Sequence, residues 1–178
     1  MFVENDSDIK IAGDKPSRDI RKNFGAGDEK SASKEQREAA KKIGVAVAQQ
    51  FLKDAAESAD GENTDYGLIL QRRLLLSFSA TAGFEQYIGD DTLAGVAQKS
   101  FLDTVRKAGE EIYKTSSDMG AFSFYYLAFR RGNDIERRMG QTFAMLCSHD
   151  GDPIFQELGE ALYCWFTSVV RKAVKQYM

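Results

Sequence analysis

The chain has 178 residues, of which 43% are hydrophobic and 29% are charged, and its formal net charge is −3. This composition is typical of a soluble globular protein, and the length is sufficient for one domain with a full core. The acidic balance argues against a dedicated nucleic-acid-binding protein, which usually carries a surplus of lysine and arginine. No run of about 18 apolar residues is present, so the sequence predicts no membrane-spanning helix.

Cysteine and histidine are scarce: the chain has only Cys147, Cys164 and His149. Without a CxxC pair or a second histidine, the sequence predicts neither a disulfide framework nor a zinc site, and it favours a reduced, cytoplasmic setting. It also lacks phosphate-binding loops, dinucleotide-binding fingerprints and GxSxG elbows. We therefore expect no metal, no cofactor and no recognisable catalytic motif.

Residues 1–32 differ from the rest of the chain, because they hold seven acidic and six basic residues and few apolar ones. Such a segment cannot form a core of its own, and it lacks the apolar stretch of a signal peptide. We expect an N-terminal tail that is either docked or flexible. In residues 33–178, apolar residues recur at steps of three and four and proline is nearly absent. This part predicts a single all-α domain, a bundle of five to six helices.

The first two predicted helices differ in their apolar pattern. The first opens at the capping-box sequence Ser33-Lys-Glu-Gln36 and has one apolar face. The second, over about residues 66–87, is apolar nearly all round, which is typical of a helix at the centre of a bundle or in a subunit interface. It also contains Arg72 and Arg73. Because an unpaired buried charge is costly, at least one of them is expected to reach an acid on another helix or the surface.

The next predicted helices are an amphipathic one, with an apolar face over residues 93–112, and a short aromatic one that contains AFSFYYLAF at 121–129. Four consecutive residues of that run cannot share one side of a helix, so we expect burial on several sides. Gly132 suits the position after a helix end, where the backbone turns left-handed. The sequence Asn133-Asp-Ile-Glu136 then resembles a cap for the fifth predicted helix, and a sixth covers the C-terminal part of the chain.

The stretch CSHDGDPIF, residues 147–155, holds the single histidine beside Cys147. We interpret it as a corner between the fifth and sixth predicted helices. Gly151 takes the sharp turn, Asp152 caps the next helix, and Pro153 occupies its first position, where a missing N–H costs nothing. The alternative is a catalytic or metal site built on His149, but the sequence supplies no partners for it.

Paired arginines beside tyrosines predict a ligand site. Guanidinium groups bind phosphate or carboxylate through two parallel hydrogen bonds, and tyrosine rings can stack on a ligand ring. The pattern predicts a pocket for an anionic small molecule such as a nucleotide. The alternative is ion pairing with Asp134 and Glu136, which would occupy the arginines. The candidate ligand-binding residues are Arg72, Arg73, Tyr125, Tyr126, Arg130, Arg131, Arg137 and Arg138.

Three predicted elements carry more apolar surface than one bundle of this size can enclose: the second helix, the aromatic run and the last helix. We expect the surplus to form a homodimer interface, because closed two-fold pairing is the commonest way to cover such a patch. The alternative is that the N-terminal tail covers it. The candidate interface residues are Phe122, Phe129, Trp165 and Phe166.

Two function classes remain open on this basis, and a third, weaker one is an enzyme whose site is built only of Arg, Tyr, Asp and Glu side chains. The first is a non-catalytic helical interaction or regulatory protein that self-associates, with another protein as a further partner. The second is a helical sensor that binds an anionic small molecule or nucleotide through the arginine and aromatic cluster. Neither class requires a nucleic acid or a membrane as a partner.

Overall fold

The computed structural model describes residues 32–58 and 65–178 of the chain. Within these ranges it contains seven helices and no strand, and 86% of the residues are helical. The prediction of an all-α fold is confirmed, whereas the predicted tail lies outside the described residues. The helices are α1 (Lys34–Glu57), α2 (Tyr66–Ile88), α3 (Asp91–Ala108), α4 (Glu110–Ser116), α5 (Met119–Arg130), α6 (Ile135–Leu146) and α7 (Pro153–Tyr177).

Most helix starts follow directly from the sequence. Five of the seven helices begin after a serine or aspartate whose side chain accepts a hydrogen bond from the first turn. At α1, the backbone N–H of Gln36 donates to Ser33 Oγ (3.1 Å), and the backbone N–H of Ser33 donates to Gln36 Oε1 (2.8 Å). The capping box therefore forms as predicted. These contacts satisfy N–H groups that a helix leaves free at its start.

Two helix boundaries differ from the prediction. The third predicted helix breaks at Gly109, whose extended backbone (φ 173°, ψ 132°) ends α3 and lets α4 begin at Glu110. The expected cap around Asn133–Glu136 does not form, because Asp134 adopts a left-handed backbone (φ 51°) and its side chain makes no cap hydrogen bond. The break at Gly109 accounts for one helix more than the sequence predicted.

Helix α2 lies at the centre of the bundle and contacts each of the other six described helices. Its apolar pattern indicated either the centre of a bundle or a subunit interface, and in the structure α2 lies at the centre. The core beside it joins Phe51 of α1, Phe101 of α3, Phe166 of α7 and Phe84 of α2 itself. The ring centroids lie 5.6 Å apart for Phe51 and Phe101, 6.4 Å for Phe51 and Phe166, and 6.2 Å for Phe84 and Phe101. All three contacts are edge-to-face, the arrangement that aromatic quadrupoles favour.

Two helix pairs approach each other at a glycine. A Cβ atom at Gly44 of α1 would overlap the backbone of Ala97 in α3, and one at Gly140 of α6 would overlap the backbone of Gln156 in α7. Larger residues at these positions would push the paired helices apart and open voids in the core. Helix α5 has no such close partner, since among the described helices it contacts only α2 and α6. One side of α5 therefore faces away from the bundle.

Candidate functional site

The corner at residues 147–155 joins α6 to α7 as the sequence predicted. Gly151 has a φ of 79°, Asp152 accepts a hydrogen bond from the backbone N–H of Ile154 (2.8 Å), and Pro153 begins α7. Ser148 also lies in the left-handed region (φ 62°), which the sequence did not indicate. The predicted turn roles of these residues are confirmed.

His149 at this corner is exposed and stacks on Phe155, with ring centroids 3.7 Å apart and planes inclined by 8°. Burial and, secondarily, Asp65 raise the pKa of the neighbouring Cys147 thiol to about 11. A thiol with a raised pKa is a poor nucleophile at neutral pH. No group of three or more His, Cys, Asp and Glu side chains that could hold a metal ion occurs among the described residues. The corner side chains thus contribute to a turn and to packing.

The two arginines of α2 have different surroundings. Arg72 Nε and Nη2 donate to the two carboxylate oxygens of Asp54 in α1, at 2.9 and 2.5 Å. The prediction that one of them reaches an acid on another helix is confirmed. Arg73 is only 9% exposed, and its Nε has no hydrogen-bond partner among the described residues. Arg72 is therefore part of a structural ion pair, and its guanidinium group is already engaged.

The adjacent tyrosines of α5 are separated by the fold. Tyr125 is buried against Phe78, with ring centroids 5.5 Å apart, and its hydroxyl has no hydrogen-bond partner among the described residues. Burial, and to a smaller extent Cys147, raises the pKa of Tyr125. Tyr126 is exposed, and its hydroxyl accepts a hydrogen bond from Arg130 Nη2 (2.6 Å). Of the two, Tyr126 alone is accessible to a ligand.

Tyr126 and Arg130 line a cavity of about 400 Å³ between α2, α3 and α5. The other predicted ligand residues do not line it: Arg72, Arg73, Tyr125, Arg131, Arg137 and Arg138. The remaining polar side chains of its wall come from α2 and α3 and include Glu85, Asp91 and Gln98. Glu85 and Asp91 lie near helix ends, but the sequence carries no signal that α3 faces α5 across a cavity.

The alternative to a ligand site was that Asp134 and Glu136 form ion pairs with the arginines of α5 and α6, and these ion pairs do not form. Among the described residues, none of the four lies within 4.0 Å of a carboxylate. The spacing from Arg130 to Asp134 would bring the two together on one continuous helix. The chain instead turns at Gly132 (φ 78°) and Asp134 (φ 51°), so this helical spacing is lost.

The predicted interface residues lie in three different environments. Phe166 is fully buried in the core, so we correct its predicted place at an interface: it is not accessible to a second copy. Phe122 and Phe129 are partly buried against Phe78, with ring centroids 5.7 and 6.2 Å from it. Trp165 is partly exposed on α7.

Helix α5, which contains the aromatic run, has four large apolar side chains that are exposed to solvent. We define the α5 face as Met119, Phe124, Tyr126 and Leu127, which are 77%, 48%, 41% and 63% exposed. The expectation that this helix is buried on several sides is wrong, because only Tyr125 and Ala128 of α5 are buried. The physical reason is that α5 has two helix neighbours, which cover only one side of it.

The described residues thus form an all-α bundle with one cavity of mixed charge and one exposed apolar helix face. No family model, no curated protein and no solved structure matches this chain. Within the described ranges, every helix is too short or too polar to cross a membrane. The cavity and the exposed helix face are therefore the two candidate functional surfaces.

Proposed function

We propose that this chain is a non-catalytic interaction protein that self-associates through the α5 face, with a second copy of the chain as the partner. The observation that carries the proposal is the exposure of four large apolar side chains on one helix of 12 residues. Water is released from apolar surface when it is buried, so patches of this kind usually mark interaction sites.

Two small residues beside the α5 face favour contact with another helix. Gly120 and Ser123 are exposed and precede Leu127 by seven and four residues, so the three lie on one side of α5. A Cβ at Gly120 would approach only the side chain of Asp118, the residue that caps the same helix. A ridge on a partner helix can therefore settle between the larger side chains.

Charge favours an antiparallel arrangement of two α5 helices. Arg131 is exposed at the C-terminal end of α5, and Asp118 is exposed at its N-terminal end. In a two-fold interface every contact occurs twice, so an antiparallel pair brings the arginine end of each copy toward the aspartate end of the other. A parallel pair would place like charges together, which costs free energy. The antiparallel pair also aligns the helix dipoles favourably.

Light scattering across a range of micromolar concentrations tests the proposal. The monomer has a mass of 19.9 kDa, and we expect the mass to rise toward twice that value as the concentration increases. Leu127→Glu should shift the equilibrium to the monomer, because it places a charge in the buried centre of the pairing. Ile154→Glu on α7 is the matched control, since Ile154 is a similarly exposed aliphatic residue on another helix. A constant monomer mass would overturn the proposal.

A pair of charge variants tests the antiparallel arrangement. Arg131→Glu should weaken association, because it places a carboxylate near Asp118 of the second copy. Asp118→Asn removes that charge but retains the helix cap, since asparagine caps as well as aspartate. The double variant should therefore associate more tightly than Arg131→Glu alone. Equal weakening by Arg131→Glu in both backgrounds would contradict the antiparallel pair.

A further inference from the structure

The cavity between α2, α3 and α5 carries charges of both signs that do not neutralise one another. Glu85, Asp91 and Arg130 all line it. No ion pair within 4.0 Å joins any of the three to another charged side chain among the described residues. A volume of about 400 Å³ lies within the range of small-molecule pockets. A ligand with charges at both ends can therefore engage both sides of the wall.

Arg130 is held in a defined position at one side of the cavity. Its Nη2 donates to the hydroxyl of Tyr126 at 2.6 Å, and its guanidinium carbon lies 4.9 Å from the centroid of the same ring. A guanidinium group has five N–H donors, so four remain for a planar anion such as a carboxylate. Bidentate pairing with a carboxylate needs only two of them.

The α2 and α3 side of the cavity offers acceptors. Besides the two carboxylates, the Oε1 atom of Gln98 is buried and has no hydrogen-bond partner among the described residues. A buried acceptor without a donor is costly, so a ligand N–H group placed there would relieve this cost. Space is also present, because a Cβ at Gly95 would meet no atom within 4 Å. This side of the cavity therefore matches a cationic nitrogen group.

We propose that the cavity binds a small molecule with one carboxylate and two cationic nitrogen groups, the chemical class of the basic amino acids. The carboxylate pairs with Arg130, and the cationic groups pair with Glu85 and Asp91, with an N–H donated to Gln98. Two acids and one arginine give the three charged wall residues a net charge of −1, which a ligand of net charge +1 complements. This ligand class replaces the purely anionic one that the paired arginines predict. Tyr126 lines the cavity and also belongs to the α5 face, so the two proposals share this side chain.

Calorimetric titration of the full chain with four matched probes tests the ligand class. L-lysine has all three charges, 1,5-diaminopentane lacks the carboxylate, glutarate lacks the cations, and norleucine lacks the side-chain cation. We expect saturable binding of L-lysine, and binding at least about tenfold weaker for each of the other three, since each lacks a charge-assisted contact. Glutarate binding as tightly as L-lysine would overturn the proposal, and so would the absence of saturation by L-lysine at millimolar concentrations.

Two substitutions test the assignment of the charges, with folding checked by circular dichroism. Arg130→Gln should weaken L-lysine binding at least about tenfold without weakening the binding of 1,5-diaminopentane, which has no carboxylate. Glu85→Gln should weaken the binding of both. Arg137→Gln is the matched control, because Arg137 is an exposed arginine that does not line the cavity. If Arg130→Gln and Arg137→Gln affect L-lysine binding equally, the assignment is wrong.

The monomeric variant Leu127→Glu separates this proposal from the proposed self-association. Leu127 does not line the cavity, so this variant should bind L-lysine as the unaltered chain does. Binding that is lost with Leu127→Glu but retained with Ile154→Glu would show that the cavity needs the dimer, and it would overturn the proposal that a single copy of the chain binds the ligand.

Discussion

Helices α2 and α5 are both rich in large apolar residues, yet the fold treats them differently. In α2, 12 of 23 residues are buried, whereas in α5 only two of 12 are buried. Helix α2 contacts all six other described helices, and α5 contacts two. Apolar composition therefore decides that a helix needs partners, while the number of neighbours decides whether it finds them within its own chain. We propose that a second copy supplies the partner that α5 lacks among the described helices.

The largest expected effect compares one phenylalanine from each helix. Phe78→Ala in α2 should lower the free energy of unfolding by about 3–5 kcal/mol, because it opens a void among the rings of Phe122, Tyr125 and Phe129. Phe124→Ala on the α5 face should change it by less than about 0.5 kcal/mol at concentrations where the chain is a monomer. Urea denaturation measures both. Similar losses for the two variants would contradict the comparison.

A second comparison sets the partly buried ion pair between α1 and α2 against the exposed arginine of α5. Arg72→Met should cost about 2–3 kcal/mol, because it leaves the carboxylate of Asp54 buried without a partner. Arg130→Met should change the free energy of unfolding by no more than about 0.5 kcal/mol. The double variant Asp54→Leu/Arg72→Met should recover most of the loss, since it removes both charges together. If the double variant is no more stable than Arg72→Met, another contact of Arg72 holds α1 against α2.

The adjacent tyrosines of α5 provide a pH-dependent test. Because burial raises the pKa of Tyr125, the native state retains a proton above pH 10 that the unfolded chain releases. The stability contribution is complete below that pH and falls as the pH rises, by about 1.4 kcal/mol per pH unit. Tyr125→Phe should flatten this decline, and near pH 7 it should be nearly neutral because it removes a hydroxyl without a partner.

Tyr126→Phe, which removes an exposed hydroxyl from the same helix, is the matched control for the alkaline titration. Cys147 contributes in the same direction, because its raised pKa of about 11 makes the folded state lose stability between about pH 8.5 and that value. The comparison is therefore best made in a Cys147→Ala background. An identical pH profile for Tyr125→Phe and Tyr126→Phe would show that Tyr125 is accessible to solvent.

The last comparison lies at the corner, outside both helices. His149→Ala should cost about 0.5–1 kcal/mol, since it removes the stacking of His149 on Phe155 but leaves the turn intact. Gly151→Val at the same corner should cost more, about 1–3 kcal/mol, because valine resists the positive φ. Thermal unfolding measures both changes. A larger loss for His149→Ala would assign the histidine a role that the turn does not explain.

Much of the fold could be predicted from local patterns. The cap at Ser33, the left-handed Gly132 and the start of α7 at Pro153 each depend on residues within a few positions of one another, and all three form as predicted. The break at Gly109 could not be predicted from the apolar pattern, because that pattern continues through it.

Only the part of the candidate site that lies on α5 could be predicted, because local rules relate residues of one helix and not residues of different helices. Tyr126 and Arg130 are one helical turn apart, so their contact follows from helix geometry. Glu85 and Gln98 reach the same cavity from two other helices, and no local rule relates their positions to α5.

The sequence by itself determined that this protein is helical, where most of its helices begin, and that α2 must be enclosed. Those properties depend on periodicity and on hydrogen bonds between near neighbours. Only the tertiary structure decided that Phe166 is enclosed while Leu127 is exposed, and that acids from α2 and α3 face an arginine from α5. Exposure and charge environment depend on which helices are neighbours, and that choice depends on packing over the whole bundle, such as the close approach at Gly44 and Gly140.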